Sequence, residues 1–325
     1  QTMSVQSLSV NLFTDRLLRN WVRCRRRAWL DLFGDGELRL WSPHRNLQLN
    51  DQQKVFAALL TAKPERGIEA CKRGAEGVIG LRLKGLGPTG EPLEAHPSLL
   101  QRVRGKSIWG DFAYRPVVAI QGKRLGREQR LSLAITAKLL EPLQEAPIAS
   151  GLALKNSKVG LEVGKIQLTG GLQRQLIETL KNMKNELKSN NPPPLTNDRR
   201  KCTLCCWRGV CDKTATEEGH LSEVSGIGAK RRQMLHQLGI FHLKDLAETD
   251  AVQLSKELKH FGEQHAAVAP QLVAQALVQY KEEAERILKD ENEKNIKEQE
   301  KLNKHTHDHD HHHDHEKKEE KKSKP

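Results

Sequence analysis

The spacing of the cysteines places the strongest constraint on how this chain folds. Cys202, Cys205 and Cys211 form a C-x2-C-x5-C pattern soon after the helix-breaking run Pro192–Pro194. Two thiols three residues apart can bind one metal centre, and the third can return to it after a short turn. Three ligands leave a tetrahedral or cubane site one ligand short. We expect Cys24, which lies in an arginine-rich stretch about 180 residues earlier, to be the fourth ligand.

The surroundings of these cysteines favour a metal site over unrelated thiols. Cys24 lies among arginines, and cationic neighbours favour the thiolate form of a cysteine and offset the negative charge of a thiolate-bound cluster. Six cysteines in 325 residues are too few for a disulfide scaffold. Cys71 has no partner at a ligand spacing, and Cys206 directly follows Cys205, so we interpret both as ordinary small buried residues. Spacing alone leaves an iron–sulfur cluster and zinc both open.

The charge distribution indicates a polyanionic partner. The formal net charge is +13, and it lies in the first 280 residues, because the last 45 carry 12 Lys or Arg against 14 Asp or Glu. A basic body favours nucleic acid ahead of an acidic membrane surface, with charge for solubility as the simpler alternative. No apolar run approaches the roughly 20 residues of a membrane span, so no membrane partner is expected. An apolar signal segment is not found either, and we expect a cytoplasmic location.

Hydrophobic periodicity predicts an α/β fold for the first part of the chain. Helices are predicted at 14–33, 127–143 and 171–189, and strand-like runs at 78–83, 99–103, 114–121, 152–154 and 159–168. This order is typical of an α/β core with a central sheet. We predict a domain over 1–213 closed by the cysteine site, a small all-α domain over 218–288, and a disordered Lys/Glu- and His/Asp-rich tail over 289–325.

Two segments around the cysteines resemble one nuclease superfamily. Arg25–Leu30 resembles the first-helix signature, and Lys201–Asp212 the closing signature, of iron–sulfur-clasped RecB-superfamily nucleases. These include AddB-type and CRISPR-associated exonucleases and a RecB-like nuclease family. The resemblance spans about residues 14–213. It implies a PD-(D/E)xK nuclease-like core and a [4Fe–4S] cluster that ties the early helix to the far end of the domain, with zinc as the alternative metal.

The same resemblance implies a Mg²⁺- or Mn²⁺-dependent active site, and its residues are substituted here. Nucleases of this fold hold the metal with two carboxylates beside a lysine, and a glutamine and a tyrosine follow on the next helix. The corresponding positions, in that order, are Ser98, Val118, Ile120, Ser132 and Thr136. Neutral and apolar groups cannot hold Mg²⁺, so the sequence predicts a degenerate site.

Other polar residues are candidates for a rearranged active site. They are Glu91, Glu94, His96, Asp111 and Glu128. Their simpler interpretation is solvated loop charge. An active metal-dependent DNA nuclease with displaced ligands therefore stays open as an alternative.

Residues 221–235 resemble a helix-hairpin-helix motif, and 238–246 resemble the second half that often follows it. Two glycines would allow a tight turn in which backbone N–H groups at the start of the next helix donate to a DNA phosphate oxygen. The expected DNA-binding residues are Gly226, Ile227, Gly228, Ala229, Lys230 and Arg231. Contacts to phosphates would not read base sequence. Packing against protein is the alternative role of this motif.

Seven histidines between His305 and His315 alternate with aspartates. They could bind Ni²⁺ or Zn²⁺ weakly, and a solvated low-complexity end is the simpler interpretation. Taken together, these observations predict a DNA-binding, RecB-nuclease-like iron–sulfur protein of DNA repair or recombination. A non-catalytic scaffold that binds protein partners is the further alternative.

Overall fold

The computed structural model describes residues 12–120, 122–196 and 199–319. The chain divides into two compact units, and the boundary between Cys211 and Asp212 falls within helix α7 (Arg208–Glu217). Across the described ranges, no helix combines the length and the apolar character that a membrane crossing requires.

Unit 1 is a mixed α/β structure, as the sequence predicts. Besides the first residues of α7, its helices are α1 (Asp15–Arg23), α2 (Arg25–Phe33), α3 (His44–Leu59), α4 (Ile68–Arg73), α5 (Arg127–Gln144) and α6 (Gly170–Glu186). Its strands are β1 (Phe13–Thr14), β2 (Glu65–Arg66), β3 (Gly77–Ile79), β4 (Leu83–Leu86), β5 (Pro92–Ala95), β6 (Leu99–Ser107), β7 (Gly110–Ala119), β8 (Ser150–Ser157) and β9 (Gly160–Gln167). They form a three-stranded sheet in the order β1-β5-β4 and a six-stranded sheet in the order β2-β3-β6-β7-β8-β9.

The six-stranded sheet is covered on both faces. Strands β7 and β8 pair in parallel, and β6–β7 and β8–β9 are antiparallel. Because side chains alternate along a strand, adjacent residues of β6 enter different cores. Leu100 packs with residues of α1, α5 and α6, whereas Leu99 packs with Val117 and with Phe56 of α3. These two cores explain the apolar faces of the helices.

The prediction of one helix over 14–33 is wrong at Cys24. This residue is extended, with φ −157° and ψ 115°, and it separates α1 from α2. Leu17 of α1 and Ala28 of α2 both lie in the main core, and Leu30 of α2 also packs against Trp207. Periodicity, which averages over a window, does not detect one extended residue.

The other predicted elements agree with the structure in part. The predicted helices at 127–143 and 171–189 correspond to α5 and α6, and the runs from 99 to 168 correspond to β6–β9, with Gln121 outside the described residues. The predicted strand at 78–83 is wrong, because it is divided between β3 and β4, which lie in different sheets. Gly80, at φ +71°, makes the turn between them. Strand β5 was not predicted.

Unit 2 is helical. Its helices are α8 (Ala229–Gln237), α9 (Leu243–Ala247), α10 (Ala251–Leu258) and α11 (Glu263–Glu319). Their buried side chains form one apolar cluster that includes Leu221, Leu235, Leu246, Leu254 and Leu272.

The tail differs from the predicted disorder, because α11 continues as a helix to Glu319. This segment is rich in Lys and Glu, which favour helix, and contains no Gly or Pro after Pro270 until Pro325. Residues 320–325 lie outside the described residues, as do the side chains of the His/Asp tract.

Candidate functional site

One cavity in unit 1, with a volume of about 1020 Å³, brings both predicted sites of this unit together. All four predicted cysteine ligands line it. So do four of the five substituted nuclease positions, namely Ser98, Val118, Ser132 and Thr136. Ile120 is not among the described residues that line the cavity; its backbone N–H donates to Leu154 O at 2.8 Å.

The cavity is strongly basic. Of the described residues that line it, ten are Arg or Lys and two are acidic. Arg16, Arg19 and Arg23 come from one face of α1, at spacings of three and four residues. That spacing is visible in the sequence and was the available signal for this surface. Positive charges gathered in a concave wall concentrate polyanions at it.

The first acidic residue, Asp15, is held by an arginine. Its side chain is 3% exposed, Oδ2 accepts a hydrogen bond from Arg19 Nη1 at 2.9 Å, and Oδ1 accepts one from the backbone N–H of His96 at 3.2 Å. Arg19 Nη1 also donates to Ser132 Oγ at 3.0 Å. A guanidinium therefore lies between the buried carboxylate and one of the substituted nuclease positions.

The candidates for a rearranged nuclease site do not converge. Glu128 lines the cavity but pairs with Arg23 at 2.6 Å. Glu94 lies outside the lining and pairs with His96 Nε2 at 2.5 Å and Arg82 Nε at 2.9 Å. The hydrogen bond from His96 and the charge of Arg82 hold the pKa of Glu94 below its usual range.

The two remaining candidates also lie away from the cavity. The carboxylate of Glu91 accepts a hydrogen bond from the backbone N–H of Thr89 and lies 3.6 Å from Lys184 Nζ. Asp111 is exposed on β7, and neither residue is among the described residues that line the cavity. Each buried carboxylate of the candidate set thus already has a cationic or hydrogen-bonding partner.

The cysteines reach the cavity from three local structures. Cys24 is the single extended residue between α1 and α2, at the positive end of the α2 dipole. Cys202 ends a short 3₁₀ turn, Arg199–Cys202, and its carbonyl accepts a hydrogen bond from the N–H of Cys205 at 3.0 Å. Cys211 lies on α7, where its N–H donates to Trp207 O at 3.0 Å.

The other three thiols that line the cavity act on the pKa of Cys202. Burial raises the pKa of Cys202, and the charges of Cys24, Cys205 and Cys211 raise it further. Burial also raises the pKa of Cys211, against the opposing charge of Arg26. A hydrogen bond from the Cys206 thiol lowers the pKa of Cys205 to about 6. Four thiolates here would repel one another, so a bound cation is needed to hold them all in that form.

The thiols as they lie do not form a finished metal site. Across the described ranges, no group of three or more His, Cys, Asp or Glu side chains is arranged so that it could hold a metal ion. Four thiols in one cavity are the right kind of ligand for a thiolate-bound cluster. Their side chains are not arranged so that they could hold a metal.

The remaining cysteines are buried, as we interpreted them from the sequence. Cys71 is fully buried, and Cys206 is 2% exposed. Burial raises the pKa of Cys71 to about 12. The hydrogen bond with Cys205 and burial raise the pKa of Cys206. Both thiols stay protonated at neutral pH, which suits a packing role.

A polar network that the sequence analysis missed joins the two ends of unit 1 without a metal. Trp207, whose side chain is fully buried, donates from Nε1 to Asp31 Oδ1 at 2.8 Å. Asn20 Nδ2 donates to Asp31 Oδ2 at 2.6 Å, and Arg26 Nη1 donates to Pro193 O at 2.9 Å. The available signal was an acidic residue inside the apolar run Trp29–Phe33.

The predicted hairpin of unit 2 uses its two glycines differently. Gly226 has φ +91°, a conformation that favours glycine, whereas Gly228 is extended at φ −93°. An added Cβ at Gly228 meets nothing within 4 Å, so this glycine leaves the start of α8 open. The first helical hydrogen bond of α8 joins Arg232 N–H to Gly228 O at 2.9 Å, and no side chain caps this end. Ile227 is 6% exposed and anchors the turn in the core.

Arg231 is engaged inside the hairpin. Its Nη1 donates to Gly226 O at 2.7 Å, and its Nε donates to His265 Nδ1 at 3.2 Å. These two hydrogen bonds of Arg231 stabilise the turn. Ala229 and Lys230 are exposed at the start of α8. Of the two predicted hairpin cations, Lys230 is exposed and Arg231 is partly buried.

Comparisons with known proteins give little further information. No protein-family model matches this sequence, and a search of curated proteins finds no match. A solved structure described as "Crystal structure of SSO0001" is similar to this chain, with a TM-score of 0.37 and 12% identity over 63% of this chain and 87% of that chain. A similarity at this level supports no statement about function.

Proposed function

We propose that this chain is a DNA-binding iron–sulfur protein with a RecB-nuclease-like domain, a substituted nuclease site and a helix-hairpin-helix module, and that it acts in DNA repair or recombination. The observation that carries the proposal is the basic cavity, which is lined by the four candidate ligand cysteines and by four of the five substituted nuclease positions.

The charges of the cavity suit DNA binding without cleavage. Each phosphate that a Lys or Arg neutralises releases counterions, which favours binding at low salt. Phosphodiester hydrolysis in this fold needs carboxylates that are available to Mg²⁺. The two acidic residues of the described lining, Asp15 and Glu128, are paired with Arg19 and Arg23, so Mg²⁺ would have to displace a guanidinium from each.

Cys24, Cys202, Cys205 and Cys211 would hold the cluster. When bound, a [4Fe–4S] cluster would supply a covalent connection between the α1–α2 junction and the segment that closes unit 1. Binding must draw the four thiols together, because no group of the described side chains is arranged so that it could hold a metal ion. Arg26 and Arg27 lie near Cys211 and Cys205 and offset the charge of the thiolates.

The hairpin of unit 2 would supply a second, separate contact to DNA. The uncapped N–H groups at the start of α8 can donate to a phosphate oxygen, and Lys230 adds charge beside them. Because these groups face phosphates, binding should show no preference for base sequence.

Cavity charge can be tested by fluorescence anisotropy with cluster-replete protein and labelled single- and double-stranded DNA. Arg127→Gln with Lys201→Gln removes two cavity charges, and Arg104→Gln with Lys106→Gln removes two exposed charges of β6 outside the cavity. The cavity pair should weaken binding. It should also lower the steepness with which log K falls with log[salt] by about 1.4–1.8, since each phosphate contact contributes roughly 0.7–0.9 to that slope. The β6 pair should have little effect. Equal losses from both pairs contradict a specific role for the cavity.

The same protein should show no Mg²⁺- or Mn²⁺-stimulated cleavage above a mock preparation. Cleavage that disappears in Glu128→Ala or Asp15→Ala contradicts the assignment of an inactive nuclease site.

A further inference from the structure

An exposed tryptophan stands in the wall of the basic cavity. Trp41 lies between the 3₁₀ turn Gly36–Leu38 and α3, and its side chain is 45% exposed. It belongs to none of the buried apolar clusters formed by the described residues. Burial in a core therefore does not account for its presence at this position.

Two arginines hold the ring of Trp41. The guanidinium of Arg45 lies 4.3 Å from the ring centroid, and that of Arg16 lies 5.7 Å from it. Such cation–π contacts restrict the ring and place two positive charges over it. Leu49 and Leu204, which are 47% and 48% exposed, add apolar surface to the same cavity.

This combination of apolar and cationic surface suits one class of polyanion. Single-stranded nucleic acid presents unstacked base faces together with phosphates. Duplex DNA presents phosphates while its base faces stay stacked inside the helix, so it gains little from an exposed ring. An acidic protein segment offers carboxylates and lacks a repeating aromatic face.

We propose that Trp41 is a base-stacking residue and that the cavity binds single-stranded nucleic acid. This inference rests on the proposed function and specifies the ligand of the same cavity. Arg45 does not block stacking, because a base also stacks on a guanidinium plane. The guanidinium of Arg45 lies over the ring at 4.3 Å and that of Arg16 at 5.7 Å, so both are close enough to the stacked base to attract the phosphates that flank it.

The test compares an oligothymidylate of about 20 nucleotides with an abasic oligomer of equal length, which keeps the phosphates and lacks the bases. Full-length, cluster-replete protein should bind the oligothymidylate more tightly. Trp41→Leu, which keeps apolar volume without a ring, should weaken that binding about tenfold and leave abasic binding unchanged. Trp41→Phe should retain most of the preference. Circular dichroism and iron content show whether each variant is folded.

The salt slope separates stacking from charge. Trp41→Leu should keep the wild-type slope, whereas Arg45→Gln should lower it by about 0.7, since one phosphate contact is lost. If Trp41→Leu still prefers the oligothymidylate as strongly as the wild type does, the stacking role is wrong. If, in addition, Arg127→Gln with Lys201→Gln leaves binding intact, the proposed cavity function is wrong as well.

Discussion

Replacing Asp31 with alanine tests whether the polar network around Trp207 closes unit 1 without a metal. The change removes the acceptor of the Trp207 Nε1 hydrogen bond, at 2.8 Å, and of the Asn20 Nδ2 hydrogen bond, at 2.6 Å. Trp207 is fully buried and Asn20 is 6% exposed, so water cannot easily replace the carboxylate. A buried donor left without an acceptor costs about 1–3 kcal/mol. Because Asp31 is partly solvated, we expect a total loss of about 2–4 kcal/mol.

Such a loss is a large fraction of the roughly 5–15 kcal/mol by which a domain is stable. All five tryptophans lie in unit 1, so urea unfolding of the metal-free protein followed by tryptophan fluorescence reports on this unit. Asp35→Ala is the matched control, because Asp35 accepts one exposed hydrogen bond from the Glu37 N–H at 3.0 Å. The Asp31→Ala midpoint should fall well below both the wild-type and control midpoints. Equal midpoints for the two variants refute the structural role of the network.

Three further predictions concern the hairpin and the thiols. Gly228→Ala should weaken duplex binding, because its Cβ enters the open space at the start of α8. It should lower the stability of unit 2 in urea less than Gly226→Ala does, because φ at Gly226 is +91°; equal losses of stability contradict this distinction. Burial and nearby cations hold the pKa of His265 below 6.5, so the unfolded chain takes up the proton first and stability should fall as the pH drops below about 6.5. His265→Gln should show a smaller change in urea midpoint between pH 7.5 and 5.5, and an unchanged dependence refutes it. In metal-free protein at pH 7.5, mass spectrometry should find Cys205 alkylated before Cys71, since their pKa values are about 6 and about 12; the reverse order contradicts the electrostatic argument.

Local patterns in the sequence predict the regular elements of unit 1 and fail where the fold depends on distant contacts. Helices α5 and α6 are long and periodic, so their sequences predict them closely. Cys24 is extended between α1 and α2, and α2 packs in part against Trp207, which is more than 170 positions away in the chain. Contacts between such distant residues are visible only in the tertiary structure.

The candidate site, like the fold, is predicted from the sequence only in part. Cysteine spacing indicates which thiols to consider, and the arginine spacing on α1 indicates a basic face. Their meeting in one cavity depends on the sheet that brings β7 beside α5, and on the closing segment. Trp41 carries no local signal, because an exposed tryptophan in a loop is distinguished only by what surrounds it in space.

The central claim is that four distant cysteines hold one iron–sulfur cluster, and iron and sulfide analysis of anaerobically purified protein tests it most directly. The wild type should contain about four irons and four sulfides per chain. Cys24→Ala should lose both and become less soluble, because it removes the ligand that connects the α1–α2 junction to Cys202, Cys205 and Cys211. Cys71→Ala, a change at a buried thiol of the same unit, should retain them. Stoichiometric zinc without sulfide, or full iron in Cys24→Ala, contradicts the account.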